Sequence, residues 1–305
     1  MTHITIPPPL KPGDTIGIAA PAASFNHEKL DKGISVIKDL GFNVFIPDNM
    51  YARKRYLAGN DQDRAKQLES LIWRDDIQAI ICARGGFGSL RILPFLTPSI
   101  VNASPKRLIG FSDISPLLNF FAFNYRWVTF HGPVVIMLAD ADNHTIESLY
   151  HALTTISPKY IPTPEALQII SNGNAKIVSG QLWGGNLTSL CHTIGTPYSV
   201  DFSEGILFLE DRGEATYRID RMLTQMRLSG YFDNVKAVLL GNFKDCGDMA
   251  FIHELLLECF DSSIPIISGY NCGHDLPNYT FPLGLRSELH TDDGTVRFLN
   301  SHYNS

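Results

Sequence analysis

Short apolar runs that return between segments of helical period constrain this chain more than any other feature. "TIGIAAP" at 15–21, "NVFIP" at 43–47, "AIICARGGFG" at 79–88, "RLIGF" at 107–111 and "VTFHGPV" at 128–134 each have the length and apolar density of a buried strand. Between them lie "HEKLDKGISVIKDLG", whose Leu30, Ile34, Ile37 and Leu40 share one face and whose Gly41 is a stop, "DQDRAKQLESLIWR", and "ISPLLNFFAFN" with Pro116 tolerated in a first turn. Strands alternating with helices predict an α/β fold around a mostly parallel sheet. Polar helical sequence then runs to about residue 155.

After residue 156 the texture changes. "SPKYIPTPEALQIISNGNAKIVSG" holds three prolines, two glycines and little helical period. It reads as a connection, which sets the expected organisation at an N-terminal domain 1–156, a linker 157–175 and a C-terminal domain 176–305. A length of 305 residues agrees, because a single core stops growing below that size. The second part offers "KIVSGQLWGGN", "GILFLED", "AVLLGNF" and "PIISGYNCGH" as strands, helices over "YRIDRMLTQMRLSG" and "FIHELLLECF", and a terminal hairpin turning at Asp-Asp-Gly.

Charge and cysteine usage exclude several functions. The formal net charge is −6 and no basic run exceeds "ARKR" at 52–55, so no footprint for nucleic acid exists. No apolar stretch is long enough to span a membrane, and the apolar run after Lys11 is too short and too interrupted for a signal peptide. Cys82, Cys191, Cys246, Cys259 and Cys272 show no C-x-x-C spacing, which argues against a zinc site or disulfide framework and suits reduced thiols in a cytosol. No metal is expected.

The chemistry concentrates at strand ends. In "RLIGFSDIS" Ser112 stands where a buried strand meets a helix start, the position of a nucleophile elbow. Only the G-x-S half of G-x-S-x-G is present, since position 114 is Ile. Taken alone, the stretch favours Ser112 or Asp113 as a helix cap. A serine nucleophile also needs a base and a group to orient it. His274 in "NCGHDLPN" follows a strand on a glycine-containing loop, where sites of open α/β sheets gather, and His131 in "TFHGP" is its rival. Glu210 closes the apolar strand "GILFLED" and reads either as an acid able to reach an interdomain cleft or as a strand-terminal surface acid. "ARGGFGS", 83–89, fits neither nucleotide-binding glycine pattern but offers backbone N–H groups to an anion or oxyanion. "LWGGN", 182–186, reads as a second glycine loop in which Trp183 and Asn186 either hold a peptide-like ligand or, for Trp183, pack in the core.

In that order, "ARGGFGS", "IGFSDIS", "QLWGGNLTSL", "GILFLED" with "YRIDRML", and "GHDLPNYTFPLG" resemble the LD-carboxypeptidase (muramoyltetrapeptide carboxypeptidase) family of serine peptidases, over about residues 13–299. The resemblance implies a Ser112–Glu210–His274 triad, with oxyanion donors at the N–H groups of Gly86 and Asp113. It also implies a flavodoxin-like (class I glutamine amidotransferase-like) N-terminal domain, a smaller mixed α/β C-terminal domain, a cytoplasmic homodimer, a muropeptide substrate and no cofactor. Arg84, Arg212, Arg218 and Arg221 are the cations near the motifs that a terminal carboxylate could use. Microcin C self-immunity peptidases share this resemblance and act on peptidyl or aminoacyl nucleotides. A non-catalytic muropeptide-binding protein is the alternative outside enzymes.

Overall fold

The computed structural model describes residues 4–156, 160–162 and 167–299. Five strands, β1 (Thr15–Ala19), β2 (Asn43–Phe45), β3 (Ala79–Cys82), β4 (Arg107–Gly110) and β5 (Thr129–His131), form a parallel array in the order β2-β1-β3-β4-β5. This is a doubly wound order, whose ligands gather at the carboxyl ends of the strands. β1, β3, β4 and β5 are almost wholly buried, as strands covered on both faces must be. Helices α1 (His27–Asp39), α2 (Asp61–Trp73), α3 (Ser115–Asn124), α4 (Val135–Leu138) and α5 (Asn143–Thr154) complete this part. Asn26 and Asn60 cap α1 and α2, each accepting at 2.9 Å from the N–H three residues on. Gly41, at φ 91°, ends the chain's run after α1.

The rest of the described chain comprises β6 (Tyr160–Ile161), β7 (Gln168–Ser171), β8 (Ile177–Asn186), α6 (Leu187–Cys191), β9 (Gly205–Arg212), α7 (Thr216–Leu228), β10 (Ala237–Lys244), α8 (Met249–Cys259), β11 (Ile266–Ser268), β12 (Phe281–Leu283), β13 (Arg286–His290) and β14 (Val296–Phe298). Eight of these strands make a mixed sheet in the order β6-β14-β13-β8-β9-β10-β11-β7, and β13 with β14 is the expected hairpin. β12 instead joins the first sheet, antiparallel to β5, with Phe281 opposite His131.

The expected boundaries therefore do not match the division between sheets. The span 157–175, read as a linker, supplies β6 and β7, the two edges of the eight-stranded sheet; its residues 157–159 and 163–166 lie outside the described residues. Both strands are short and lie at sheet edges, and β7 is exposed or half-buried throughout, so neither carries the continuous apolar run that marks a central strand. One core cluster runs from the first sheet onto one face of the second, through Phe130, Phe281, Phe208 and Leu239. A second cluster lies between the other face and α6, α7 and α8.

Candidate active site

β4 ends at Gly110, Phe111 is extended at φ −157°, and Ser112 enters the left-handed region at φ 61°. That conformation is unfavourable for a residue with a Cβ, and it turns the hydroxyl out of the sheet edge. Two glycines make room. A Cβ on Gly110 would lie 2.8 Å from Ile114 Cγ2, and one on Gly85 would lie 3.0 Å from Ser112 Cβ. Neither Ser112 nor Asp113 caps the helix that follows. The Ser112 hydroxyl lies 3.1 Å from His274 Nε2, and the Asp113 carboxylate accepts the Ser89 N–H at 2.8 Å.

His274 arrives from the loop after β11. Gly273 before it has φ 121°, and a Cβ there would come within 2.6 Å of Glu210 Oε2. The glycine is what lets the chain pass over the carboxylate. Glu210, in β9, is completely buried, and its Oε2 accepts from His274 Nδ1 at 2.8 Å. Burial pushes the Glu210 carboxyl up from its ordinary value, and the hydrogen bond and charge of His274 oppose that shift. With Nδ1 donating to the carboxylate, Nε2 is left to accept the Ser112 hydroxyl proton.

His131, the rival base, is buried with neither ring nitrogen hydrogen-bonded among the described residues, and burial lowers its pKa to about 3. Its ring stacks on Phe281 at 5.1 Å and meets Phe208 at 5.2 Å. It is a core residue.

"LWGGN" is the end of strand β8 rather than a loop. Gly184 and Gly185, at φ 129° and 137°, let β8 press against the Phe208 carbonyl and the Ser115 hydroxyl. The Asn119 amide of α3 both donates to the Gly184 carbonyl (2.7 Å) and accepts its N–H (3.1 Å). Trp183 is correspondingly a core residue, 2% exposed and edge-on to Phe123, and it does not line the pocket. Asn186 does line it, with its side chain spent on structure: Nδ2 donates to Asp211 Oδ1 at 2.9 Å, and Oδ1 accepts from the Ser189 N–H and hydroxyl. Asp211 is a buried acceptor that also takes the Thr188 N–H and hydroxyl.

These groups open on a pocket of about 890 Å³ that Ser112, His274, Gly85 and Gly86 share with Arg84 and Arg212. Arg218 and Arg221 stand outside it over the Tyr217 ring, 5.9 and 5.6 Å from its centroid, with Arg218 paired to Glu214 at 3.4 Å. The glycine loops singled out in the sequence contain Gly85, Ser89 and Gly273, but their separate roles, close packing for the glycines and a partner for Asp113 in Ser89, emerge only from the structure. Among the described residues no group of three or more His, Cys, Asp or Glu side chains is placed to hold a metal ion.

A hydroxyl, an imidazole and a buried carboxylate bonded in series at a pocket between two α/β sheets place the protein in the class equipped for nucleophilic hydrolysis. Comparison with known proteins narrows the class: the chain belongs to the LD-carboxypeptidase family, a peptidase family whose N-terminal domain model matches residues 16–132 and whose C-terminal domain model matches 179–289. It is 32% identical to the probable murein peptide carboxypeptidase of Bacillus subtilis, over 95% of this chain and 93% of that one. Against the microcin C7 self-immunity protein MccF of Escherichia coli the identity is 27%, over 97% and 96%. The crystal structure of muramoyltetrapeptide carboxypeptidase from Oxalobacter formigenes superposes with a TM-score of 0.76 at 30% identity, covering 93% of this chain and 97% of that one.

Proposed function

We propose that the protein is a serine carboxypeptidase that hydrolyses the L,D peptide bond releasing terminal D-alanine from murein tetrapeptides, in peptidoglycan recycling, as a cytoplasmic homodimer. The observation that carries this reading is the unbroken series Ser112 Oγ, His274 Nε2, His274 Nδ1, Glu210 Oε2, at 3.1 and 2.8 Å. Ser112 Oγ attacks the scissile carbonyl carbon while its proton passes to His274. The C–N bond then breaks, the proton goes to the leaving amine of D-alanine, and an ester to Ser112 remains. Water, deprotonated by the same imidazole, attacks the ester carbonyl carbon; its bond to Ser112 Oγ breaks as Oγ takes that proton back, and the tripeptide acid leaves. Glu210 keeps the ring's Nδ1–H fixed and stabilises the imidazolium.

The N–H groups of Gly86 and Asp113 are the proposed oxyanion donors, each worth about 3 kcal/mol of transition-state stabilisation. Gly86 lines the pocket at φ 93°, and Gly85 packs directly against Ser112, so the two strand-end turns meet where an oxyanion would form. The route uses no cofactor. The names of the Bacillus and Oxalobacter relatives support the murein substrate; that of MccF, a microcin C7 self-immunity protein, supports the alternative for which the family resemblance implies a peptidyl or aminoacyl nucleotide.

Incubation with a murein tetrapeptide distinguishes the readings. Release of free D-alanine by the wild type, with at least a 1,000-fold loss in Ser112→Ala, is the expected result. Full activity in Ser112→Ala removes the nucleophile assignment. Cleavage of an aminoacyl nucleotide in place of the tetrapeptide overturns the murein reading, and tight tetrapeptide binding without turnover identifies a binding protein.

A further inference from the structure

An enzyme that removes one terminal residue must recognise a free α-carboxylate, and only two atoms, the amide nitrogen and Cα, separate that carboxylate from the scissile carbonyl carbon. Its partner must therefore stand beside the oxyanion donors. Among the described residues, four Lys and Arg side chains line the pocket: Lys29, Arg84, Arg212 and Lys244. Lys29 is paired with Asp140 at 2.6 Å, and Lys244 is paired with Asp275. Arg212 lies 4.0 Å from Asp245, and the same wall carries the acids Asp211 and Glu214.

Arg84 differs from all three. It is exposed, stands two residues before Gly86, and makes no ion pair among the described residues. One Nη1 hydrogen bond, 2.6 Å to the Ser24 carbonyl, steadies the guanidinium. Its Nε and Cζ lie 3.6 and 3.9 Å from where a Cβ on Gly86 would be, so the planar fork lies against the proposed oxyanion turn. A guanidinium has five N–H donors, and the geometry that suits a carboxylate is the two-pronged one.

We propose that Arg84 receives the free α-carboxylate of the substrate's terminal residue and so confines this site to the last peptide bond. The assignment rests on the carboxypeptidase reading above and adds to it the residue that sets exopeptidase specificity. The positive charge of Arg84 is set on the same loop as the oxyanion donors, so one rigid turn places the leaving residue and polarises the bond that breaks.

The test compares a murein tetrapeptide ending in D-alanine with the same peptide ending in D-alaninamide. For the wild type, kcat/KM is expected to favour the acid by roughly 10- to 100-fold, the range for a hydrogen bond to a charged partner. Arg84→Gln is expected to bring that ratio close to one, mostly through KM for the acid, and Arg84→Lys to restore part of it. Should Arg84→Gln be too slow to assay, the affinities of both peptides are measured in Ser112→Ala and in Ser112→Ala with Arg84→Gln, where the same collapse of the ratio is expected. An unchanged ratio in the Gln variant, with the wild type still cleaving the acid, overturns the assignment and leaves the carboxypeptidase reading standing. A wild type that cleaves neither peptide removes both.

Discussion

Ser112 holds a backbone conformation, φ 61°, that costs a residue with a Cβ about 1–2 kcal/mol relative to an ordinary one. The surrounding packing holds it, since the turn lies so close to Gly85 and Gly110 that a Cβ at either position would force a shift. Ser112→Gly is therefore expected to abolish turnover while stabilising the protein by about 1 kcal/mol, a rise of about 2 °C in Tm for a chain of this size. Ser112→Ala keeps the Cβ and should lose turnover with Tm nearly unchanged. Calorimetry of the three proteins decides the matter, and a lower Tm in the glycine variant would sink the strain argument. None of this was legible in "GFSD", because a helix cap and a nucleophile at a helix start share one signature: a small oxygen-bearing side chain after an apolar strand. What separates them is a histidine 162 residues away. Trp183 misled for a related reason. β8 is buried on both faces at Leu182 and Trp183, so alternation gave no sign of which way the indole pointed.

Between elements, the turn after β3 is fastened to the turn after β4 by buried hydrogen bonds. Asp113 accepts the Ser89 N–H, the Ser89 hydroxyl donates to the Asp113 carbonyl, and Arg64 of α2 donates to the carbonyls of Gly88 (2.9 Å) and Pro21. Arg64 is itself paired with Asp61 at 2.5 Å, and Asp61 with Arg91 at 2.6 Å. Burial pushes the Asp113 carboxyl up to about 6, against the pull of the Ser89 hydrogen bonds. A folded-state pKa raised above the unfolded one means that stability from this group is present below about pH 4 and is lost as pH rises through about 6. Asp113→Asn keeps an acceptor for Ser89 and removes the buried charge, so at pH 8 it should be at least as stable as the wild type, with kcat within a few-fold. Asp113→Ala leaves the Ser89 N–H unpaired, at a cost of about 1–3 kcal/mol, and frees the glycine turn, so kcat should fall about 10- to 100-fold with little change in KM. Equal kinetics for the Ala and Asn variants would refute the fastening role. The long strands and helices at this scale were legible from period and caps. The short ones, α6 and β12, were not, since each is set by what it packs on.

At the scale of the whole molecule the two sheets are interlocked, and His131 sits at the lock. It belongs to β5, lies opposite Phe281 of β12, and touches Phe208 of β9 in the second sheet and Phe111 before the nucleophile. No reading of local pattern could place β12 in the first sheet, because strand pairing across 150 residues leaves no local trace, and the same is true of β6 and β7 at the edges of the second. His131 makes this junction sensitive to acid. Its folded-state pKa is lowered to about 3 by burial, with the charge of His274 adding to the shift, while in the unfolded chain it is near 6.5. The unfolded state thus binds the extra proton between pH 6.5 and 3, and stability falls as pH falls through that window. Asp113 and Glu210, whose folded-state pKa values are raised, act in the opposite direction, but they are common to wild type and variant and cancel in a comparison. His131→Phe keeps an aromatic ring against Phe281 and Phe208 and has no proton to gain. Urea unfolding at pH 8, 6, 5 and 4 should show the variant gaining on the wild type by about 3 kcal/mol between pH 8 and pH 4, whatever fixed packing cost the larger ring brings. Parallel stability curves for the two proteins would mean that His131 is already charged or solvated in the fold, and that the seam between the sheets is wetter than its packing indicates.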